Sequence, residues 1–178
     1  MKQIAPVLLF LFLLQVSFGK SSIDSLQAVL EKTSEDTSRV KTLIALWEAT
    51  AYSDMESAWK AAYDAKQLSE KLNYPRGLAE SCHRIGILHY NHGVWDSAII
   101  YYSRSLEFSR VLNDISMEGN VLNAIGIIYY SQGIYGKALT YVEESLKKLS
   151  EVNDEEGIAM GLSLLGNINF YSGNYEKL

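Results

Sequence analysis

The chain has 178 residues, 48% hydrophobic and 21% charged, which fits one globular or solenoid domain. Sixteen Lys and Arg against 21 Asp and Glu leave a net charge of −5, with no basic block or stripe, which excludes the electrostatic footprint of a nucleic-acid binder. One cysteine, Cys82, excludes a disulfide framework within the chain.

The first element, 1–19, reads as a secretory leader. Met1-Lys2-Gln3 is a short basic start, Ile4 to Phe18 is an apolar run, and Ser17-Phe18-Gly19 places small residues for cleavage before Lys20. The run is shorter than the roughly 20 residues of a comfortable membrane span. A cleaved leader is expected, with an uncleaved anchor as the alternative. No cysteine follows the run, so a lipid anchor is not supported. Residues 20–35 form a polar lead-in with one amphipathic stretch, Ile23, Leu26, Ala28 and Leu30, read as a short capping helix. Ser34-Glu35-Asp36-Thr37 then reads as a helix start.

From there the chain repeats itself. Four units are expected, over 36–73, 74–113, 114–153 and 154–178, each of two helices joined by a turn. Unit one carries Val40, Leu43, Ile44 and Trp47 on its first helix, and Ala58, Ala62, Ala65 and Leu68 on its second. In unit two, Pro75 suits the first turn of a helix. Unit three sets Leu122, Ile125 and Tyr129 against Ala138, Val142, Leu146 and Leu149. Unit four breaks off at Leu178, in phase with Ala58, Ala98 and Ala138, so a truncated repeat and a fragment of a longer protein are expected.

The register between units is 40 residues. Gly86, Gly126 and Gly166 fall in phase, as do Gly93, Gly133 and Gly173, then Trp95, Tyr135 and Tyr175, then Ala98 and Ala138. Gly inside a helix costs about 1 kcal/mol against Ala. Its recurrence at one phase therefore implies a partner helix crossing too close for a side chain. These positions resemble the tetratricopeptide repeat family in its longer variant. They match its Leu-Gly pair in helix A (Ile85-Gly86, Ile125-Gly126, Leu165-Gly166), its Gly-x-aromatic turn and its small residue early in helix B. The departures are Cys82, Leu122 and Leu162 at the helix A Trp position, Ser105 and Ser145 at the second small position of helix B, and a degenerate first unit with Leu46 and Ser53 in place of Gly. The resemblance implies an all-α superhelical solenoid of antiparallel helix pairs.

Catalytic signatures are missing: no P-loop, nucleophile elbow, H-E-x-x-H or dinucleotide fingerprint occurs, and no cofactor is expected. His89, His92 and Cys82 are spaced to share a metal, but Cys82 and His89 stand at core phases, so no metal site is assigned. Glu143-Glu144 and Asp154-Glu155-Glu156 read as a solvent face and a helix start rather than catalytic pairs.

What remains is a surface. In the tetratricopeptide repeat family the concave face is built from helix A residues beside the core stripe. Carried over, that face takes Glu80, His83, Ile87 and Tyr90 from unit two. Unit three supplies Asn120, Asn123, Ile127 and Tyr130, and unit four supplies Met160, Ser163, Asn167 and Phe170. An aromatic, Asn-lined groove suits a peptide, while packing against the neighbouring repeat is the alternative role for the aromatics. The family's carboxylate clamp needs a Lys that these positions lack.

A secretory start followed by such repeats resembles the sensory region of bacterial membrane signalling proteins, most often with a histidine-kinase output. The expected function is thus an exported interaction or sensing scaffold with a protein or peptide partner and no enzyme activity in these residues. A free-standing periplasmic or secreted adaptor, the N-terminal region of a nucleotide cyclase or LuxR-type regulator, and self-association are the alternatives.

Overall fold

A computed structural model describes residues 22–173, and these are helical with short turns between. The leader over 1–19 with its cleavage point, and Tyr175 with the start of a second helix in unit four, lie outside the described residues. The chain divides after Asn73 into two compact units.

The first unit holds α1 (22–32), α2 (Thr37–Thr50) and α3 (Met55–Lys71). Asp36 caps α2 by accepting from the backbone N–H of Ser38 and Arg39, and Asp54 caps α3 through Ser57. The Asp36 carboxyl is held down at about 2 by the hydroxyls of Ser34 and Ser38 and by the capped backbone. Arg39 Nη1 turns back onto the carbonyls of Leu30 and Thr33, satisfying the open end of α1. Val40, Leu43, Ile44 and Trp47 are buried, as are Ala58, Ala61, Ala62 and Ala65. The alanine stripe of α3 lets the two helices lie close.

The second unit holds α4 (Pro75–Asn91), α5 (Trp95–Leu112), α6 (Ile115–Ser131), α7 (Tyr135–Glu151) and α8 (Glu155–Tyr171). Helices α4 and α5 form one pair, α6 and α7 the next, and α8 packs on α7 and α6. The turns repeat in backbone as well as in sequence. Gly93, Gly133 and Gly173 take φ of 71°, 73° and 78°, and Asn73, Asn113 and Asn153 take φ of 48°, 53° and 53°. Those are left-handed conformations, open to Gly without strain and to Asn better than to most side chains. Asp114 and Asp154 follow two of these Asn residues and cap α6 and α8 through the N–H groups of Met117 and Gly157.

The close crossings are present. A Cβ on Gly86 would stand 2.5 Å from the Tyr102 ring, and one on Gly126 would stand 2.9 Å from Val142 Cγ2 and 3.5 Å from the Ala138 carbonyl. The buried serines of α5 and α7 have a physical reason too. Ser105 Oγ donates to the Ala79 carbonyl and Ser145 Oγ to the Gly119 carbonyl, each at 2.7 Å, so each pair carries the same polar rivet inside an apolar seam. Glu118, 7% exposed, is held between Arg110 Nε at 2.9 Å and Lys148 Nζ at 3.0 Å. Burial opposes its charge, but hydrogen bonds from Arg110 and Lys148 outweigh burial and keep its pKa below the usual carboxylate value.

The outer side of α8 differs from its counterparts. Leu162 is 54% exposed, whereas Cys82 and Leu122 at the same phase are each 1% exposed, and Gly166 has open space among the described residues where a Cβ would go.

The three in-phase glycines should therefore respond differently to one added methyl. Gly86→Ala should lower the unfolding free energy by about 1–3 kcal/mol through overpacking against Tyr102. Gly166→Ala should leave it unchanged or raise it by up to about 1 kcal/mol through helix propensity. Urea titrations of the two variants against wild type check both signs.

Candidate partner-binding groove

The first helices of successive pairs, α4, α6 and α8, line one open cavity of about 540 Å³ in the second unit. Its walls are Tyr90 of α4, then Asn123, Ile127, Tyr130 and Ser131 of α6, then Ala159, Met160, Ser163, Leu164 and Asn167 of α8. Seven of these are sequence-expected groove residues: Tyr90, Asn123, Ile127, Tyr130, Met160, Ser163 and Asn167. The other five are not in its lining. Glu80 faces Arg76 at 3.9 Å on its own helix. Ile87 packs against the core around Tyr102 and Ile125. Asn120 turns its Nδ2 toward Asp154 Oδ2 at 3.4 Å, and Phe170 meets the Tyr171 ring edge-on at 5.2 Å.

His83 is the fifth, and its environment is that of a core residue. Its ring lies 5.6 Å from the Tyr102 ring, tilted by 45°. Some of its edge reaches solvent, yet packing governs its chemistry. Burial, with Arg84 as a second cause, pushes the imidazole down to about 3, so it is neutral at physiological pH.

The groove mixes apolar walls with amides and hydroxyls. Among the described residues no Asp, Glu, Lys or Arg lines it. Tyr130 sits at its rim with Tyr135 and Tyr171, each ring 6.0 Å away, and burial with these two neighbours raises its phenol pKa above the usual value. Asn123 lies at the floor, 4% exposed, and its Oδ1 is sealed from solvent with no hydrogen-bond partner. Sequence reasoning placed Asn123 by phase but not its missing partner, which only packing reveals. Ser131, Ala159 and Leu164 were missed, because small or core-phase residues give no signal of their own.

Other concavities are more polar or already engaged. One of about 410 Å³ beside Leu106, Leu122 and Tyr141 has Lys137 over the Tyr129 ring at 5.0 Å, and its Arg110 is tied to Glu118 and Glu144. In the first unit, about 380 Å³ lies among Gln27, Glu31, Arg39, Lys60 and Asp64. Among the described residues no three His, Cys, Asp or Glu side chains converge as a metal site would require. Cys82 is buried, His89 stacks on Tyr101 at 5.3 Å, and His92 Nδ1 lies 2.8 Å from the Leu88 carbonyl.

No family model matches the chain, and no curated protein does. Solved structures share its fold. The crystal structure of BtubC (BKLC) from P. vanneervenii superposes with a TM-score of 0.68 at 17% identity, over 88% of this chain and 65% of that one. The chain thus spans 65% of the length of that structure, and the likeness shows a helical-repeat fold.

The neutral His83 gives a pH signature. Between about 3 and 6.5 the unfolded chain binds a proton at this site that the folded chain does not, so stability falls as pH drops through that window. His83→Phe should flatten the fall in melting temperature between about pH 7 and 5, compared with wild type in the same buffers. Equal slopes for the two proteins would place His83 outside the core.

Proposed function

We propose that this protein is an exported interaction and sensing scaffold of tetratricopeptide type, whose α4–α6–α8 groove receives a peptide segment of a protein partner. The observation that carries the reading is the groove itself. Three helices one repeat apart contribute Tyr90, Tyr130, Ile127, Met160 and Leu164 as apolar wall, and Asn123, Ser163 and Asn167 as polar points, in one concavity. Ligand sites combine an apolar lining with few polar groups in this way. Aromatic side chains supply large contact area at low conformational cost.

The leader-like residues 1–19 support export, and the repeat pattern behind them supports a place in the extracytoplasmic sensory part of a membrane signalling protein with a histidine-kinase-type output. Among the described residues no helix is long and apolar enough to cross a membrane.

The test separates groove from core. Met160 is 49% exposed and Asn167 is exposed on the same wall, so a charge at either site disturbs the groove without opening the fold. Met160→Glu and Asn167→Glu should each weaken partner capture by about tenfold or more, by burying an unpaired carboxylate under the ligand. The melting temperature should stay within about 2 °C of wild type, as for a surface substitution. Export is checked in the same cells by fractionation and by the mass of the N-terminal peptide, expected to begin at Lys20. Capture indifferent to both substitutions would remove the groove from the function.

A further inference from the structure

We infer that the pocket between α5, α6 and α7 binds a small organic monoanion with an apolar body, such as an arylalkyl carboxylate, and that Lys137 is the residue that receives its charge. This site is separate from the α4–α6–α8 groove and rests on no part of the reading given for it.

The pocket has a volume of about 410 Å³. Leu106 of α5 and Leu122 of α6 give it apolar surface, and Tyr129 and Tyr141, stacked at 5.4 Å, give it aromatic surface. It uses a different side of α6 from the groove. Leu122 and Tyr129 line the pocket, whereas Asn123 and Tyr130, each one residue on and so about 100° further around the helix, line the groove.

The charges around the pocket do not cancel. Arg110 is answered by Glu118 at 2.9 Å and by Glu144 at 3.5 Å, and Glu118 is answered in turn by Lys148 at 3.0 Å. Two cations and two anions are thereby matched. Lys137 is left over. Its Nζ lies 5.0 Å from the centre of the Tyr129 ring, and no carboxylate pairs with it among the described residues. The positions three and four residues to either side of it are Gly133, Ile134, Thr140 and Tyr141, so its own helix offers no acid within reach.

The helix end adds to this excess. Lys137 stands in the first turn of α7, which has no side-chain cap and no acidic residue in that turn. A cation there lies at the positive end of the helix dipole, where an anion is favoured instead. Its counterpart α5 is arranged the other way, with Asp96 in the first turn and Ser97 at the phase of Lys137. The lone charge is therefore particular to this pair and not demanded by the repeat. A bound monoanion offsets both Lys137 and the helix end. A cation is repelled, and a neutral body leaves the charge as it was. Burial, with Tyr129 and Glu144 as further causes, raises the Tyr141 phenol, so it stays protonated as a hydrogen-bond donor beside the anion.

The probe is 3-phenylpropionate, titrated into the isotopically labelled protein and followed by backbone amide NMR shifts. Its neutral amide, 3-phenylpropionamide, keeps the body without the charge, and acetate keeps the charge without the body. The carboxylate should bind wild type at least about tenfold more tightly than the amide or acetate, and should shift residues of α5 and the first turns of α7. Lys137→Gln should weaken the carboxylate by about tenfold and leave the amide unchanged. Lys137→Arg, which keeps the charge, should hold the affinity within about threefold of wild type, and Glu144→Gln, which removes a negative charge from the lining, should tighten it. Lys137 is exposed, so the melting temperature of Lys137→Gln should stay within about 2 °C of wild type. The inference is overturned if 3-phenylpropionate shows no saturable binding up to about 5 mM. It is overturned equally if the amide binds as tightly, if Lys137→Gln binds the carboxylate like wild type, or if the shifts map to the α4–α6–α8 groove. Met160→Glu should leave carboxylate binding unchanged, which keeps the outcome for this pocket distinct from the outcome for the groove.

Discussion

The structure of the second unit depends on close helix crossings at glycine. At Gly86 against Tyr102, and at Gly126 against Val142, a helix meets its partner with no room for even one added carbon. That proximity fixes how far each pair can slide or rotate, because any shift drives a helix backbone into a side chain. It also brings Ser105 and Ser145 within 2.7 Å of carbonyls on the facing helix, so one apolar contact and one buried hydrogen bond lock the same register in both pairs. Interiors are packed too densely for such a register to drift. With one face of each first helix committed to its partner, a different face is left to α4, α6 and α8 in common. The groove is the consequence of that commitment.

Strict repetition would have made every segment of that shared face alike, and it is not alike. At the phase where α5 places Tyr102, α7 places Val142; at the phase where α4 places His83, α6 places Asn123. Tyr102 is large enough to reach the His83 ring, and the two fill their space and push the imidazole down to about 3. The second pair has a small aliphatic and an amide at these phases, and there the amide oxygen is left buried and unmatched. The loss of two rings between the repeats thus separates a seam filled by packed side chains from one that holds an unmatched amide oxygen. The backbone recurs, and unequal side-chain volumes decide how each segment of the shared face is filled.

Much of this was legible before any coordinates, and the boundary of legibility has a physical cause. The in-phase glycines announced the helix crossings because a helical Gly is a cost that only packing repays. Asp36 and Pro75 announced helix starts by capping chemistry and by the missing donor. Seven of the twelve expected groove positions line the cavity, because phase alone sets which way a helical residue points. The five others depended on neighbours. Asn120 turned to Asp154 and His83 to Tyr102, since a partner within reach outweighs the average direction of its phase. The left-handed Asn73, Asn113 and Asn153 were present as a recurring residue before the starts of α4, α6 and α8, but Asn also occurs in right-handed turns, and only the dihedral angles separate the two uses.

The fold by itself leaves function open, since the helical-repeat likeness at 17% identity extends to architecture and no further. What distinguishes this chain is the chemistry of one surface. A groove lined by opposite charges would capture termini or ionic side chains; one lined only by apolar atoms would accept any greasy segment. Among the described residues this groove has neither charge nor full apolarity. It combines Tyr, Ile, Met and Leu walls with amide and hydroxyl groups, one of which is buried beyond the reach of water. An uncharged surface of this kind leaves nothing for salt to screen.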